Sequence, residues 1–157
     1  MGLRKSGQIG RLVVHPKNPD VVYVAAQGQY YTDNSERGIY KTKNGGQTWE
    51  KSLGIAVEGV DVGATDIVMD PRDPDVLYAA TYQRIRRPWG FSGSGPGSGI
   101  HKTTDGGATW TKLSNGLPGG LIGKIGLAIY PKNPDVLYAV IENDNACLLY
   151  TSDAADE

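Results

Sequence analysis

The chain has 157 residues, of which 39% are apolar, 22 are glycine and 9 are proline. Its 16 basic and 17 acidic side chains leave a formal charge of −1, which offers no electrostatic footprint for nucleic acid or an anionic membrane. The glycine content argues for many tight turns and against long helices, and no apolar run approaches the ~18 residues of a membrane span.

The remaining composition is equally restrictive. No leader-type apolar stretch follows Met1-Gly2-Leu3-Arg4-Lys5, so no signal peptide is visible. One cysteine, Cys147, and two histidines far apart in sequence, His15 and His101, supply neither a disulfide framework nor a metal-ligand set. The expectation is a chain without metal or other cofactor.

Taken from the N-terminus, the first pronounced feature is Pro16-Lys17-Asn18-Pro19-Asp20-Val21-Val22-Tyr23. It returns as Pro71-Arg72-Asp73-Pro74-Asp75-Val76-Leu77-Tyr78 and as Pro131-Lys132-Asn133-Pro134-Asp135-Val136-Leu137-Tyr138, with the opening prolines 55 and 60 residues apart. The second feature, Gly38-Ile39-Tyr40-Lys41-Thr42-Lys43-Asn44-Gly45-Gly46-Gln47-Thr48-Trp49, recurs 61 residues later as Gly99-Ile100-His101-Lys102-Thr103-Thr104-Asp105-Gly106-Gly107-Ala108-Thr109-Trp110. Each repeat reads as four short strands. In the second repeat they are predicted near Ala64–Met69, at Val76–Tyr82, at Gly99–Thr103 and from Thr109-Trp110 onward, where Val, Ile, Tyr, Thr and Trp suit a pleated surface. The proline motif separates strands one and two, because Pro fixes φ and Asn or Asp bonds its own backbone in the turn. Asn-Gly and Asp-Gly separate strands three and four as hairpin turns that accept positive φ.

Four antiparallel strands per repeat at this period predict an all-β fold, a partial β-propeller of about two and a half four-stranded blades. The boundaries fall at about 7–54 for blade 1, about 62–115 for blade 2 and about 122–143 for half of blade 3, within a propeller region spanning 1–146.

Thr103-x-Asp105-x-Gly107-x-Thr109-Trp110 resembles the Asp-box, or BNR, repeat at every defined position. Thr42-x-Asn44-x-Gly46-x-Thr48-Trp49 departs once, with Asn44 in place of Asp. The physical reading is structural: the Asn or Asp oxygen accepts backbone N–H groups within the hairpin, Gly adopts a conformation closed to other residues, and Trp packs between sheets. Over residues 1 to about 145, Ile9 to Ala26, the Arg86-Arg87-Pro88-Trp89-Gly90-Phe91-Ser92 stretch and the Gly95–Ile100 run are similar to large bacterial proteins described as VPS10- or sortilin-like, or as glycosyl hydrolases with BNR repeats. That resemblance implies a secreted repeat protein, extracellular or periplasmic, within the sialidase superfamily of propellers.

The repeat phase implies that the chain opens inside an earlier blade, with Gly2-Leu3 echoing Gly116-Leu117, and stops before a third box. The remaining blades of the same chain are then its first partner. Cys147-Leu148-Leu149-Tyr150-Thr151-Ser152-Asp153-Ala154-Ala155-Asp156-Glu157 reads as a translated sequencing adapter, so 147–157 is set apart from the fold.

Candidate binding residues cluster in two loops between strands two and three. One holds Tyr30 and Tyr31. The other, six residues longer, holds Arg84, Arg86, Arg87, Trp89 and Phe91. Arginine beside aromatics binds carboxylates, sugars or peptides, while the structural reading has Trp89 and Phe91 packing on the adjacent blade. The equivalent positions His15, Asp70 and Tyr130 vary as an exposed strand end would, and His101 reads as a packing or surface residue. No catalytic constellation is legible. The expected function is a non-catalytic scaffold binding protein or peptide. The alternatives are part of a glycoside hydrolase whose catalytic residues lie largely outside this stretch, with a glycan ligand, and a purely structural module.

Overall fold

The computed structural model describes residues 2–144 and the backbone of 147–153; the ends of the adapter-like tail, 154–157, lie outside the described residues. Among the described residues no helix forms. The first sheet contains β1 (Ile9–Val14), β2 (Val22–Ala26), β3 (Gly38–Thr42) and β4 (Glu50–Leu53), hydrogen-bonded in that order as an antiparallel meander. A short hairpin, β5 (Ala56–Val57) and β6 (Val60–Asp61), leads into the second sheet. That sheet is again a meander of β7 (Gly63–Met69), β8 (Leu77–Tyr82), β11 (Gly99–Thr103) and β12 (Thr111–Lys112). Between β8 and β11 the chain throws out a second hairpin, β9 (Ile85–Arg87) and β10 (Gly90–Ser92). The third sheet is β13 (Ile122–Ile129), β14 (Val136–Asn143) and β15 (Cys147–Asp153).

The fourth strand of the second repeat starts two residues later than its sequence suggests, at Thr111, because Thr109 and Trp110 are used to close the preceding turn. The proline motifs form the turns they encode. The side chains of Asn18, Asp73 and Asn133 accept from the backbone N–H of Asp20, Asp75 and Asp135, respectively, at 3.1, 3.0 and 3.4 Å. His15 and Asp70, at equivalent positions just before these turns, do more than end a strand. The His15 Nδ1 accepts from the Asn18 N–H at 3.1 Å, and the Asp70 Oδ1 accepts from the Arg72 N–H at 2.7 Å. Asp70 is buried, contrary to the exposed strand end expected from sequence, because Arg72 folds over it and reaches on to Asp135 of the third sheet.

The three sheets stack face to face, and their first strands β1, β7 and β13 lie side by side. Successive residues of a strand point to opposite faces, so the middle sheet serves two cores. Ile67, Leu77 and Ala79 join Tyr23, Ala25, Ile39 and Leu53 of the first sheet. Val68, Tyr78, Ala80 and Ile100 join Ile125, Leu127, Leu137 and Ile141 of the third. Every residue of β8 is therefore buried, whereas β13 and β14 alternate buried and exposed. β1 stays open along most of its length, presenting Ile9, Leu12 and Val14 to solvent. The inner strands approach so closely that a Cβ on Gly10 would sit 2.1 Å from the Thr65 carbonyl oxygen; only glycine fits there.

Candidate functional site

Meander topology puts the proline turns and the box hairpins at one end of the sheets and the loops between strands two and three at the other. At the first end, the two boxes share one hydrogen-bond pattern. The Thr42 and Thr103 hydroxyls each accept from the N–H of Gly46 and Gly107 at 3.0 Å. Asn44 Oδ1 and Asp105 Oδ1 each accept from the N–H of Thr48 and Thr109 at 2.9 Å. Both glycines of each turn, Gly45-Gly46 and Gly106-Gly107, have φ between 63° and 84°, the left-handed region that side chains resist. One bond reverses between the boxes. The Thr109 hydroxyl donates to Asp105 Oδ2 at 2.5 Å, while the Asn44 amide donates to Thr48 at 2.8 Å. These donors, Thr109 first, hold the Asp105 carboxyl far below the usual carboxylate range, so it stays ionised and occupied within its own turn.

The second box is also a joint between sheets. The carbonyl of Gly106 accepts from the Tyr23 hydroxyl at 2.8 Å and from Lys41 Nζ at 2.7 Å, and the Trp110 indole N–H donates to Ser52 at 3.1 Å. Trp110 packs against the core between the first and second sheets, half-buried rather than enclosed. Trp49 is also half-buried and bonds within its own turn, to the Gly46 carbonyl at 3.2 Å.

At the other end, the structure brings the two aromatic loops together. Arg84 lies 4.0 Å over the Tyr30 ring, and Arg87 pairs with Asp33 at 2.5 Å. Arg86 stands opposite Phe91 across the β9–β10 hairpin and lies 5.6 Å from that ring and 5.7 Å from the Tyr31 ring. Trp89 is 84% exposed at the hairpin tip, with Tyr31 60%, Phe91 58% and Tyr30 44% exposed. The expectation that Trp89 and Phe91 pack on the adjacent sheet fails, since the hairpin carries them out into solvent. Arg84, by contrast, is buried.

The sequence reading missed the residue that ties the loops together. Arg37 is buried and donates to the carbonyls of Gln29 and Thr32 at 3.1 Å each and of Arg84 at 3.3 Å, and its Nε donates to Asn34 at 3.2 Å. Burial pushes its pKa down, but an arginine remains charged, so the rim carries a fixed positive strut. An arginine just before Gly38, where the second repeat has Ser98 before Gly99, was the available signal.

Also missed was the axis. Arg11 and Asp66 occupy the same position relative to their prolines, with Gly126 third. The Asp66 carboxylate pairs with Arg11 Nε at 3.1 Å and accepts from the N–H groups of Ile67 at 2.9 Å and Leu127 at 2.8 Å. One side chain thereby links all three sheets. It borders a cleft of about 590 Å³ whose wall includes Arg11, Thr65, Lys124, Val140 and Glu142. Opposite charges at one repeat position, in an otherwise apolar strand, were the sequence clue. With three donors already on it, the Asp66 carboxylate holds structure here.

No protein-family model matches the chain. Over 111 residues, 66% of this chain, it is 29% identical to a xyloglucanase, Xgh74A, from Acetivibrio thermocellus. An ancestral GH74 enzyme superposes over 98% of this chain and 18% of its own, with a TM-score of 0.62 and 16% identity. The structure of YCF48 bound to D1 peptide matches 100% of this chain and 40% of its own, with a TM-score of 0.53 and 16% identity. The chain is a partial β-propeller. It spans only 11% of the length of the curated relative, so its sheets are blades of a type that these larger proteins also use. Among the described residues, blades 1 and 2 each have four strands and blade 3 has three, with β15 pairing along β14 from Val136–Asp153 to Glu142–Cys147.

Proposed function

We propose that this chain forms part of a glycan-recognising β-propeller of glycoside-hydrolase type, acting outside the cytoplasm, and that its own contribution is binding rather than bond cleavage. The carrying observation is the group of solvent-facing rings at one end of the blades: Tyr30, Tyr31 and Phe91, each beside an arginine, and Trp89 at the hairpin tip. Exposed rings normally cost free energy in water; fixed in place, they offer flat apolar faces with polar edges, the surface on which the C–H face of a sugar ring settles. The likeness to a xyloglucanase supports a β-linked polysaccharide as the ligand class. Repeat motifs similar to those of VPS10- and sortilin-like proteins are compatible with the same secreted setting.

A second reading has its own support. The likeness to a structure of YCF48 bound to a peptide is in keeping with a protein or peptide ligand, the ligand class the sequence alone leads one to expect. The test is calorimetric titration of the 157-residue chain with xyloglucan oligosaccharides. Saturable binding is expected, weakened about tenfold by Trp89→Ala, as for a central aromatic anchor. Binding indifferent to Trp89→Ala, or no glycan binding beside measurable peptide binding, overturns the glycan reading.

A further inference from the structure

We infer that the rim selects a carboxylate-bearing polysaccharide, a uronate-containing glycan, and that Arg86 reads the acid group; this rests on the glycan reading above. Four arginines gather at this end, and three are already satisfied. Arg37 is spent on the carbonyls of Gln29, Thr32 and Arg84. Arg84 stacks on Tyr30 and donates to the Gln29 carbonyl at 3.3 Å. Arg87 is neutralised by Asp33. Arg86 differs. It is exposed, its guanidinium rests near the Tyr31 and Phe91 rings, and among the described residues it has no hydrogen-bond acceptor and no carboxylate partner.

Ring faces stabilise a guanidinium electrostatically but take none of its in-plane hydrogen bonds. Five N–H donors are therefore held in place with only water to receive them. Of the carboxylates on the facing loop, Asp33 is committed to Arg87 and Glu36 accepts from the backbone N–H of Lys5, so neither is bonded to Arg86. A planar fork of this kind matches a carboxylate through two parallel hydrogen bonds. The adjoining rings require that the same ligand bring a flat apolar face. A uronic acid residue within a chain combines both: a ring with a C–H face and a carboxylate at its edge. A neutral glucan offers the first without the second.

The experiment titrates the full 157-residue chain with β-linked oligoglucuronate and with xyloglucan oligosaccharide of similar length, at low and high salt, with poly-glutamate as a peptide control. The expected result is about tenfold tighter binding of the uronate, as for a charge-assisted pair on a partly exposed arginine, with that preference fading as salt screens it. Arg86→Gln brings the ratio of the two affinities close to one, and Arg86→Lys, which keeps the charge without the fork, gives an intermediate ratio. Far-UV circular dichroism verifies that both variants stay folded, as their exposed position predicts. Equal affinities in the parent, or an unchanged ratio in Arg86→Gln, overturn the inference while leaving glycan binding intact. Poly-glutamate binding tighter than either sugar overturns it in favour of an acidic peptide. Binding of neither sugar removes the glycan reading itself, and this inference with it.

Discussion

Asp66→Asn is the substitution that best probes how the blades are joined. The native carboxylate has two oxygens facing one guanidinium and two backbone N–H groups, from Ile67 and Leu127. An amide keeps one acceptor and turns its NH2 toward the other N–H. One buried donor loses its partner, which costs about 1–3 kcal/mol, and one charge-assisted bond weakens. The ion pair itself adds little, about 0–1 kcal/mol, because the Arg11 side chain is 48% exposed and screened by solvent. The expected loss is about 2–3 kcal/mol, and that from Asp66→Ala, which orphans both N–H groups, about 3–4 kcal/mol. Arg11→Ala is expected to cost under about 1 kcal/mol. Urea unfolding followed by tryptophan fluorescence measures all three. If Asp66→Asn unfolds within about 0.5 kcal/mol of the parent, or if Arg11→Ala costs as much as Asp66→Asn, the argument from buried backbone donors is wrong.

Two further outcomes follow from the second box and its strand. His101 is buried with its Nδ1 unpartnered, and burial, then Lys112, pushes its pKa down to about 4. The unfolded chain binds that proton near the ordinary value of 6.5, so stability is full above pH 6.5 and declines as the pH falls toward 4. The loss at pH 4.5 is about 2–3 kcal/mol, and His101→Phe should remove this limb from urea midpoints measured at pH 7 and 4.5; parallel declines in parent and variant would sink the assignment. Asp105→Asn should melt near the parent at pH 7, because Asn44 already closes an equivalent turn, whereas Asp105→Ala should melt clearly lower. The depressed Asp105 pKa makes its contribution present above the ordinary carboxylate value and lost as the pH falls through the lower folded one, so the melting temperature of the parent should approach that of Asp105→Ala in strong acid.

The architecture was legible because repetition amplifies weak signals. One Pro-x-Asn-Pro-Asp turn proves little, but three in phase with two boxes leave few folds available. The rim was legible only as composition. Tyr30, Tyr31, Arg84, Arg86 and Arg87 could be named, yet their division into a stacked pair, an ion pair with Asp33 and one unsatisfied guanidinium depends on how two loops 54 residues apart meet at Arg87 and Asp33. Asp66 escaped notice, and Asp70 reads from sequence as an exposed strand end, for a different reason: each looks like an ordinary polar residue until its partners on other blades are placed. The strand β15 lies on the segment set apart as adapter-like; β14 presents an open backbone edge there, and pairing needs only strand-compatible residues such as those at 147–153.

The two-sided burial of the middle blade sets where the molecule gives way. β8 is covered on both faces, while β1, β13 and β14 each keep one bare. Cohesion in such an array is a sum over joints, so every additional module docked on a bare face would strengthen its neighbour as well as itself. The flanks are the natural sites of fraying, and the blade carrying the aromatic hairpin is the one left standing.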